Sequence, residues 1–229
     1  AERYSQKRAT VLNHLEKIVV ADIVCLVLLI GVELLRALRC AAQNRILRKK
    51  IYLDESTGLP NKNKCEEILS DPTPLGEEES TAVCVFDLNN LRIINNNLGH
   101  DKGDEYIRSF AEQLRLAVDP ESFVGRDGGD EFIAIFQKTD HSKMRETLKK
   151  IRTQMKNYSA KHPEMPISYA AGYAISLDFA GSTLRELFRL ADKNMYVDKN
   201  RAKIEEAAQK QQKAYELLEW IKKEKYHFS

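Results

Sequence analysis

The sequence predicts an α/β domain with an antiparallel-containing central sheet flanked by helices, in a ferredoxin-like or palm-type arrangement, preceded by a long N-terminal helix. Three observations predict it. Apolar runs of strand length at 81–87, 123–126, 131–136 and 167–175 alternate with segments of helical period, in the order strand–helix–strand–strand–helix–strand–helix. The two strands at the centre of that order are joined only by the short link around DGGD, which calls for an antiparallel hairpin rather than a doubly wound sheet. Between Val32 and Asp54 there is no Gly or Pro, so helix-forming sequence runs unbroken up to the domain.

Taken in order, residues 1–17 form a juxtamembrane segment and 18–35, IVVADIVCLVLLIGVELL, are expected to be a transmembrane helix. The apolar length is near the lower limit for a span, with Asp22 and Glu33 near the two interfaces, where an ionisable group costs less than at mid-depth. Arg36, Arg39, Arg45, Arg48, Lys49 and Lys50 follow, so the positive-inside tendency puts the C-terminal side in the cytoplasm of a cell whose inner or plasma membrane holds the chain. The alternative is a coiled-coil helix with Ile18, Val19, Leu26, Leu29 and Leu35 on its apolar side. No small-residue cleavage pattern follows the apolar run, so it does not read as a signal peptide. Residues 36–53 then form a linker helix, a rod able to transmit a signal or pair two subunits.

The main domain is expected over 54–203. Gly58 and Pro60 punctuate the chain before a helix at 62–69; 71–80 is a polar loop; 81–87 is a strand ended by Asp87. Asn90 is expected to cap a short helix at 91–95. Tyr106, Ile107, Phe110, Leu114 and Ala117 recur at helical spacing, and Pro120 stops that helix. FVGR and EFIAIF flank the DGG turn, 141–158 is a charged amphipathic helix, and Gly172 marks a bulge in the last strand. Thr183 and Glu186 make a capping box for the final helix. Residues 204–229 are a helical extension without a long apolar face, whose Tyr215, Leu218 and Ile221 would dock on the domain or on a second copy.

Bulk composition excludes little. The 36 basic and 34 acidic residues leave a net charge of +2 with no dense basic stripe, which argues against a nucleic-acid polymer as partner. The four cysteines show no metal-type spacing and suit a reduced compartment.

The chemistry concentrates at two strand ends. If the strand ending at Asp87 lies beside the hairpin, Asp87 and Asp130 project from one sheet edge. Converging carboxylates repel unless a cation lies between them, and hard oxygen donors suit Mg²⁺. Gly128 and Gly129 remove two side chains beside the acids, so backbone can approach a phosphate or sugar. The plainer reading is a tight Gly-Gly turn with surface acids. Asn95 and Asp104 could read a base edge, a carboxylate matching the paired N–H donors of guanine. Arg92, Lys199 and Lys203 could neutralise a triphosphate, though each alone is equally a solvated surface charge.

Four separated pieces, DESTGLPNK at 54–62, DLNNLRIINNNLGHDKGD at 87–104, GRDGGDEF at 125–132 and ADKNMYVDK at 191–199, resemble the GGDEF family of bacterial diguanylate cyclases over about residues 52–203. The resemblance implies condensation of two GTP into cyclic di-GMP with release of two pyrophosphates. It implies Mg²⁺ or Mn²⁺ held by Asp87, Asp130 and the Leu88 carbonyl, with Glu131 supporting metal binding or hydroxyl activation. Asn95 and Asp104 would recognise guanine, Gly128 and Gly129 would pack against the nucleotide, Arg92 would take the position of a usual lysine, and Lys199 would match a phosphate-contacting lysine. Each subunit would hold one GTP, so the reaction would need a homodimer meeting through its GGDEF face, with the N-terminal helix as the lever.

The chain also departs from that family. Asp119 and Ser122 stand where an RxxD product-binding site has its Arg and Asp, so product inhibition through that site is not expected. Lys62 replaces an arginine, and Asn89 and Leu91 replace an Asp and a Phe. Ala202 and Lys203 replace a Gly and a phosphate-contacting Arg, keeping the charge but losing the guanidinium fork. A degenerate domain that binds GTP or a cyclic dinucleotide without turnover, an adenine-using cyclase and a purely structural dimerisation module are the rival readings. Asp104 argues against adenine, whose ring N1 is an acceptor.

Overall fold

The structure is a computed structural model that describes residues 17, 26–41, 43, 51–76 and 80–227, with side chains as far as 216 except at 206. It divides into two units, Ala1–Ile51 and Tyr52–Ser229. In the first, residues 26–41 are helical, and Leu26, Val27, Leu28, Leu29, Ile30, Leu34, Leu35 and Leu38 are all more than half exposed. Among the described residues no helix is long and apolar enough to cross a membrane. The expected span at 18–35 lies outside the described residues over 18–25, as does most of 1–17 and of the linker from 44 to 50.

The second unit contains α1 (Lys62–Leu69), β1 (Thr81–Leu88), α2 (Leu91–Leu98), α3 (His100–Ala117), β2 (Phe123–Arg126), β3 (Glu131–Gln137), α4 (His141–Lys161), β4 (Tyr169–Ile175), a 3₁₀ turn (Ser176–Asp178) and α5 (Leu184–His227). The sheet order is β2-β3-β1-β4, and every pairing is antiparallel. The hairpin is as expected, but its first strand lies at the sheet edge, and β1 rather than β2 takes the centre beside β3.

Strand β1 is buried along its whole length, because both of its faces are covered. Its even positions, Ala82, Cys84, Phe86 and Leu88, join Tyr106, Phe110 and Leu114 of α3 and Met144, Ile151 and Met155 of α4 in one core. Its odd positions, Val83 and Val85, join Ile133 and Ile135 of β3 with Leu187, Ala191 and Met195 of α5 in the other. Parity along the strand therefore decides which helical layer a side chain meets. Phe132 is fully buried against Phe110, ring centroids 4.9 Å apart, and is core as expected.

Local signals explain the helix starts. Asn61 accepts from the Lys64 N–H and Asp140 from the Lys143 N–H, each capping its helix. Thr183 and Glu186 close the predicted capping box before α5. Asn90 differs: it sits in the left-handed region at φ 67° with no side-chain cap, and turns the chain from β1 into α2 by its backbone. Gly172 differs too. It pairs with Val85 in unbroken register, so there is no bulge. A Cβ at Gly172 would meet the Met195 nitrogen at 2.0 Å and the Ala191 oxygen at 2.3 Å, so its role is to let α5 lie on the sheet.

Helix α5 also protects the sheet edge. The Asp198 carboxylate accepts from the Ala171 N–H at 3.1 Å, and the Asn194 amide donates to the Tyr173 carbonyl at 2.9 Å. Four residues of helix rise about 6 Å and two of strand about 6.8 Å, so this side-chain pair matches the ladder it caps. The helix runs on without a break through residue 203. The described side chains from Arg201 to Glu216 are exposed, Tyr215 among them at 62%, so Tyr215 does not dock on the domain. Leu218 and Ile221 lie outside the described side chains.

Candidate active site

The register of β1 with β3 pairs Asp87 directly with Glu131. Both are odd positions in strands whose odd residues face α5, so both acids lie toward that helix. Asp130 precedes the strand and is tied in by its backbone: the Leu88 N–H donates to the Asp130 carbonyl at 2.9 Å. The immediate cross-strand neighbour of the predicted metal aspartate is thus the second acid of the motif.

The electrostatics follow. Partial burial pushes the Glu131 carboxyl above the usual carboxylate range, and the neighbouring charges of Asp130, Asp127, Asp87 and Asp192 push it further. Asp87 is only 6% exposed, and the ammonium of Lys199 on α5 sits 2.6 Å from its Oδ1. Lys199, expected at a phosphate, therefore rests on the acid. Lys203, one helical turn further along α5, is exposed, as are Arg92 on α2 and Asp104 on α3.

Asn95 and Gly103 pack closely across the α2–α3 corner. The Asn95 amide oxygen is buried with no hydrogen-bond partner, and a Cβ on Gly103 would lie 1.8 Å from it. With its oxygen turned into the corner, the amide keeps its NH₂ end as the group able to donate to a ligand. Gly128 is half-buried and Gly129 exposed at the hairpin tip.

Three features escaped sequence reasoning. The first is a clamp on the hairpin. Arg126 donates from Nη1 to both Asp54 oxygens at 3.1 Å and to Ser56 Oγ at 2.7 Å. It also donates to the carbonyls of Gly128 at 3.0 Å and Gly129 at 2.8 Å. Against the cost of burial, hydrogen bonds from Ser56 and Thr57 and the Arg126 charge hold Asp54 at about 2. The signal was present as Asp-x-Ser-Thr at 54–57, a spacing in which both hydroxyls can bond back to the carboxylate. The second is Tyr106, which is fully buried. Its hydroxyl accepts from the Ser168 N–H at 2.9 Å and lies 3.1 Å and 3.3 Å from the Ser168 and Asn89 carbonyls, bracing the turn that follows Asp87. Asn89, in the same turn, donates to Ser168 Oγ at 3.1 Å.

The third is Asp127, half-buried with one unpartnered oxygen and a carboxyl raised chiefly by burial, then by Glu66. It lines an open cleft of about 370 Å³ with Asp54, Asn61, Lys62, Gly128 and Gly129, behind the hairpin and without Asp87 or Glu131.

Among the described residues no three His, Cys, Asp or Glu side chains come together as a ready ligand set. The charge and donor type nonetheless fit a hard divalent cation. Burial and then four neighbouring carboxylates raise Glu131, and the most buried of those carboxylates, Asp87, already holds a cationic group.

Comparison with known proteins bears on the same residues. The family described as "Diguanylate cyclase, GGDEF domain" matches residues 51–205. The diguanylate cyclase DgcP of Pseudomonas aeruginosa is 27% identical over 152 residues, 65% of this chain and 22% of that protein. The cyclic di-GMP phosphodiesterase PdeB of Shewanella oneidensis is 30% identical over 187 residues, 80% of this chain and 20% of that protein. The chain thus spans about a fifth of the length of these relatives. Among solved structures, the GGDEF domain of DgcB from Caulobacter crescentus, in complex with c-di-GMP, superposes with TM-score 0.57 at 25% identity, covering 65% of this chain and 90% of that one. The DgcB structure that includes its coiled coil gives TM-score 0.64 at 21% identity over 75% of this chain and 92% of that one, a likeness of fold.

Proposed function

The chain belongs to the diguanylate cyclase GGDEF-domain family, and from that premise we propose that it condenses two GTP into cyclic di-GMP with release of two pyrophosphates across a homodimer. The observation that carries the reading is the acidic cluster: Asp87 paired across the sheet with Glu131, Asp130 held at the neighbouring turn, and the Lys199 ammonium of α5 on Asp87. Mg²⁺ or Mn²⁺ would be held by Asp87, Asp130 and the Leu88 carbonyl, with Glu131 in support. When bound, the cation supplies charge neutralisation at the α-phosphate and a lowered pKa of the ribose 3′-hydroxyl.

The chain's own residues position the substrate. Asn95 donates to guanine and Asp104 accepts from its ring N–H and amine. The Arg126 clamp holds the Gly128–Gly129 backbone where a nucleotide can lie against it. Arg92, Lys199 and Lys203 face the triphosphate. One subunit binds one GTP, so the two hydroxyl attacks require two domains face to face, and much of the rate comes from that alignment. The exposed apolar helix at 26–41 supports placement at the inner or plasma membrane, with the catalytic domain on the cytoplasmic side and the helix pairing the subunits.

A second reading, a GTP- or dinucleotide-binding domain without turnover, is favoured by Ala202 and Lys203 in place of the usual Gly and Arg, and by relatives named for phosphodiesterase activity. One experiment separates the two. Incubated with GTP and Mg²⁺, the protein should yield cyclic di-GMP identified by mass, and Asp130→Ala should abolish it. Saturable GTP binding without product would sink the cyclase reading and leave the binding one.

A further inference from the structure

The Lys199–Asp87 pair is the least expected contact in the site. Asp87 is among the most buried charges of the domain, and a carboxylate in that position needs a counter-charge. Lys199 supplies it from α5 at 2.6 Å, with the lysine side chain 27% and the aspartate side chain 8% exposed. An ammonium and a divalent cation on the same carboxylate lie only a few ångströms apart, where their mutual repulsion is strong. The lysine is a compact charge on a flexible four-carbon stem. Because its side chain is partly exposed, it has a path away from Asp87 toward solvent and toward any anion that arrives there.

We propose that Lys199 is a movable counter-cation that keeps free divalent metal off Asp87 and yields that acid only when a triphosphate takes up its charge. The metal then enters as its nucleotide complex rather than ahead of it. This rests on the reading that the site takes a metal–triphosphate, but it concerns the order of binding, not turnover. It also gives the lysine two successive partners. It belongs to Asp87 in the nucleotide-free protein and to phosphate in the loaded one, so the acid is never left buried and uncompensated.

The test uses the whole chain without nucleotide, titrated with Mn²⁺ and read by the electron paramagnetic resonance signal of the unbound ion. Lys199→Met and Lys199→Gln should each bind Mn²⁺ about tenfold more tightly than the unaltered protein, equivalent to about 1.4 kcal/mol, and Lys199→Arg should stay close to it. A non-hydrolysable GTP analogue with Mg²⁺ should show the opposite order, with affinity falling about tenfold in the Met and Gln variants. A merely structural lesion would lower both affinities together. Mn²⁺ affinity unchanged or weakened in both neutral variants would overturn the proposal, whether or not cyclic di-GMP is made. Tightened Mn²⁺ binding in a protein that makes no product would uphold it and count against the cyclase reading alone.

Discussion

Removing the Arg126 guanidinium should loosen the glycine hairpin without opening the core. The side chains of Arg126 and Asp54 are 15% and 22% exposed, so their contact is neither a surface pair nor a fully buried one. Asp54 lies at about 2 against an ordinary 3.8. At 1.36 kcal/mol per unit that gap is worth about 2 kcal/mol, an upper figure because the pair still touches solvent. Ser56 and Thr57 account for more of the lowering than the Arg126 charge does. The coupling between Arg126 and Asp54 should therefore be near 1 kcal/mol, while Arg126→Ala alone, which also loses the bonds to Gly128 and Gly129, should cost about 2 kcal/mol. Urea denaturation of the unaltered protein, Arg126→Ala, Asp54→Ala and the double variant, followed by circular dichroism, measures all of these. The sign with pH is determined. A depressed carboxylate contributes stability that is present above about pH 4 and lost as pH falls through about 2, so the coupling should hold at neutral pH and fade in acid. Single effects that add to within about 0.3 kcal/mol at pH 7 would refute the clamp as an energetic unit.

Three further outcomes follow from the same geometry. Gly172→Ala forces a methyl into the backbone of α5, which cannot give way, and should cost about 3 kcal/mol or prevent folding, seen as a fall of about 6–12 °C in Tm. Gly103→Ala meets only the movable Asn95 amide, so gained helix propensity of about 1 kcal/mol should offset the clash. Its Tm should hold while affinity for a GTP analogue, by calorimetry, drops about tenfold. Because the folded protein raises Glu131, its ionisation opposes folding above the ordinary glutamate range near pH 4. Glu131→Gln should thus raise Tm at pH 7 and lose that advantage at pH 4.

Most of the fold was legible because its signals are local. Apolar runs of strand length, the Gly-Gly turn, the Thr183–Glu186 box and the stop at Pro120 each depend on a few neighbouring residues, and each lies where the pattern put it. What escaped depends on residues far apart in the chain. A lone Gly in a strand is compatible with a bulge or with a close helix, and only the docking of α5 chooses the latter at Gly172. Asn90 has the chemistry of a cap, yet the chain must reverse there immediately after β1, and Asn tolerates the left-handed turn. At the site, Asp87 and Glu131 could be placed once strand parity was known, but Lys199 could not, because its partner is 112 residues away and is set by where α5 lies.

Parity also explains why core and site stand or fall together. The odd residues of β1 and β3 put Val83, Val85, Ile133 and Ile135 against α5, and the same alternation carries Asp87 and Glu131 to that side. A one-residue slip of β3 along β1 would turn Ile133 and Ile135 to the wrong layer and carry Glu131 away from the side that holds Asp87 and Lys199. Burial of those two side chains opposes such a slip, since each fully buried aliphatic is worth about 1.5–3 kcal/mol. The register that pairs the two acids therefore needs no separate stabilisation. Gly172 sets how closely α5 approaches, and Lys199 lies four residues beyond Met195, whose backbone touches that glycine, so the height of the ammonium above Asp87 follows from one missing side chain. Substitutions that lift α5 should then weaken the Lys199–Asp87 pair before they disturb the pairing of Asp87 with Glu131, because the first depends on helix docking and the second on the sheet alone.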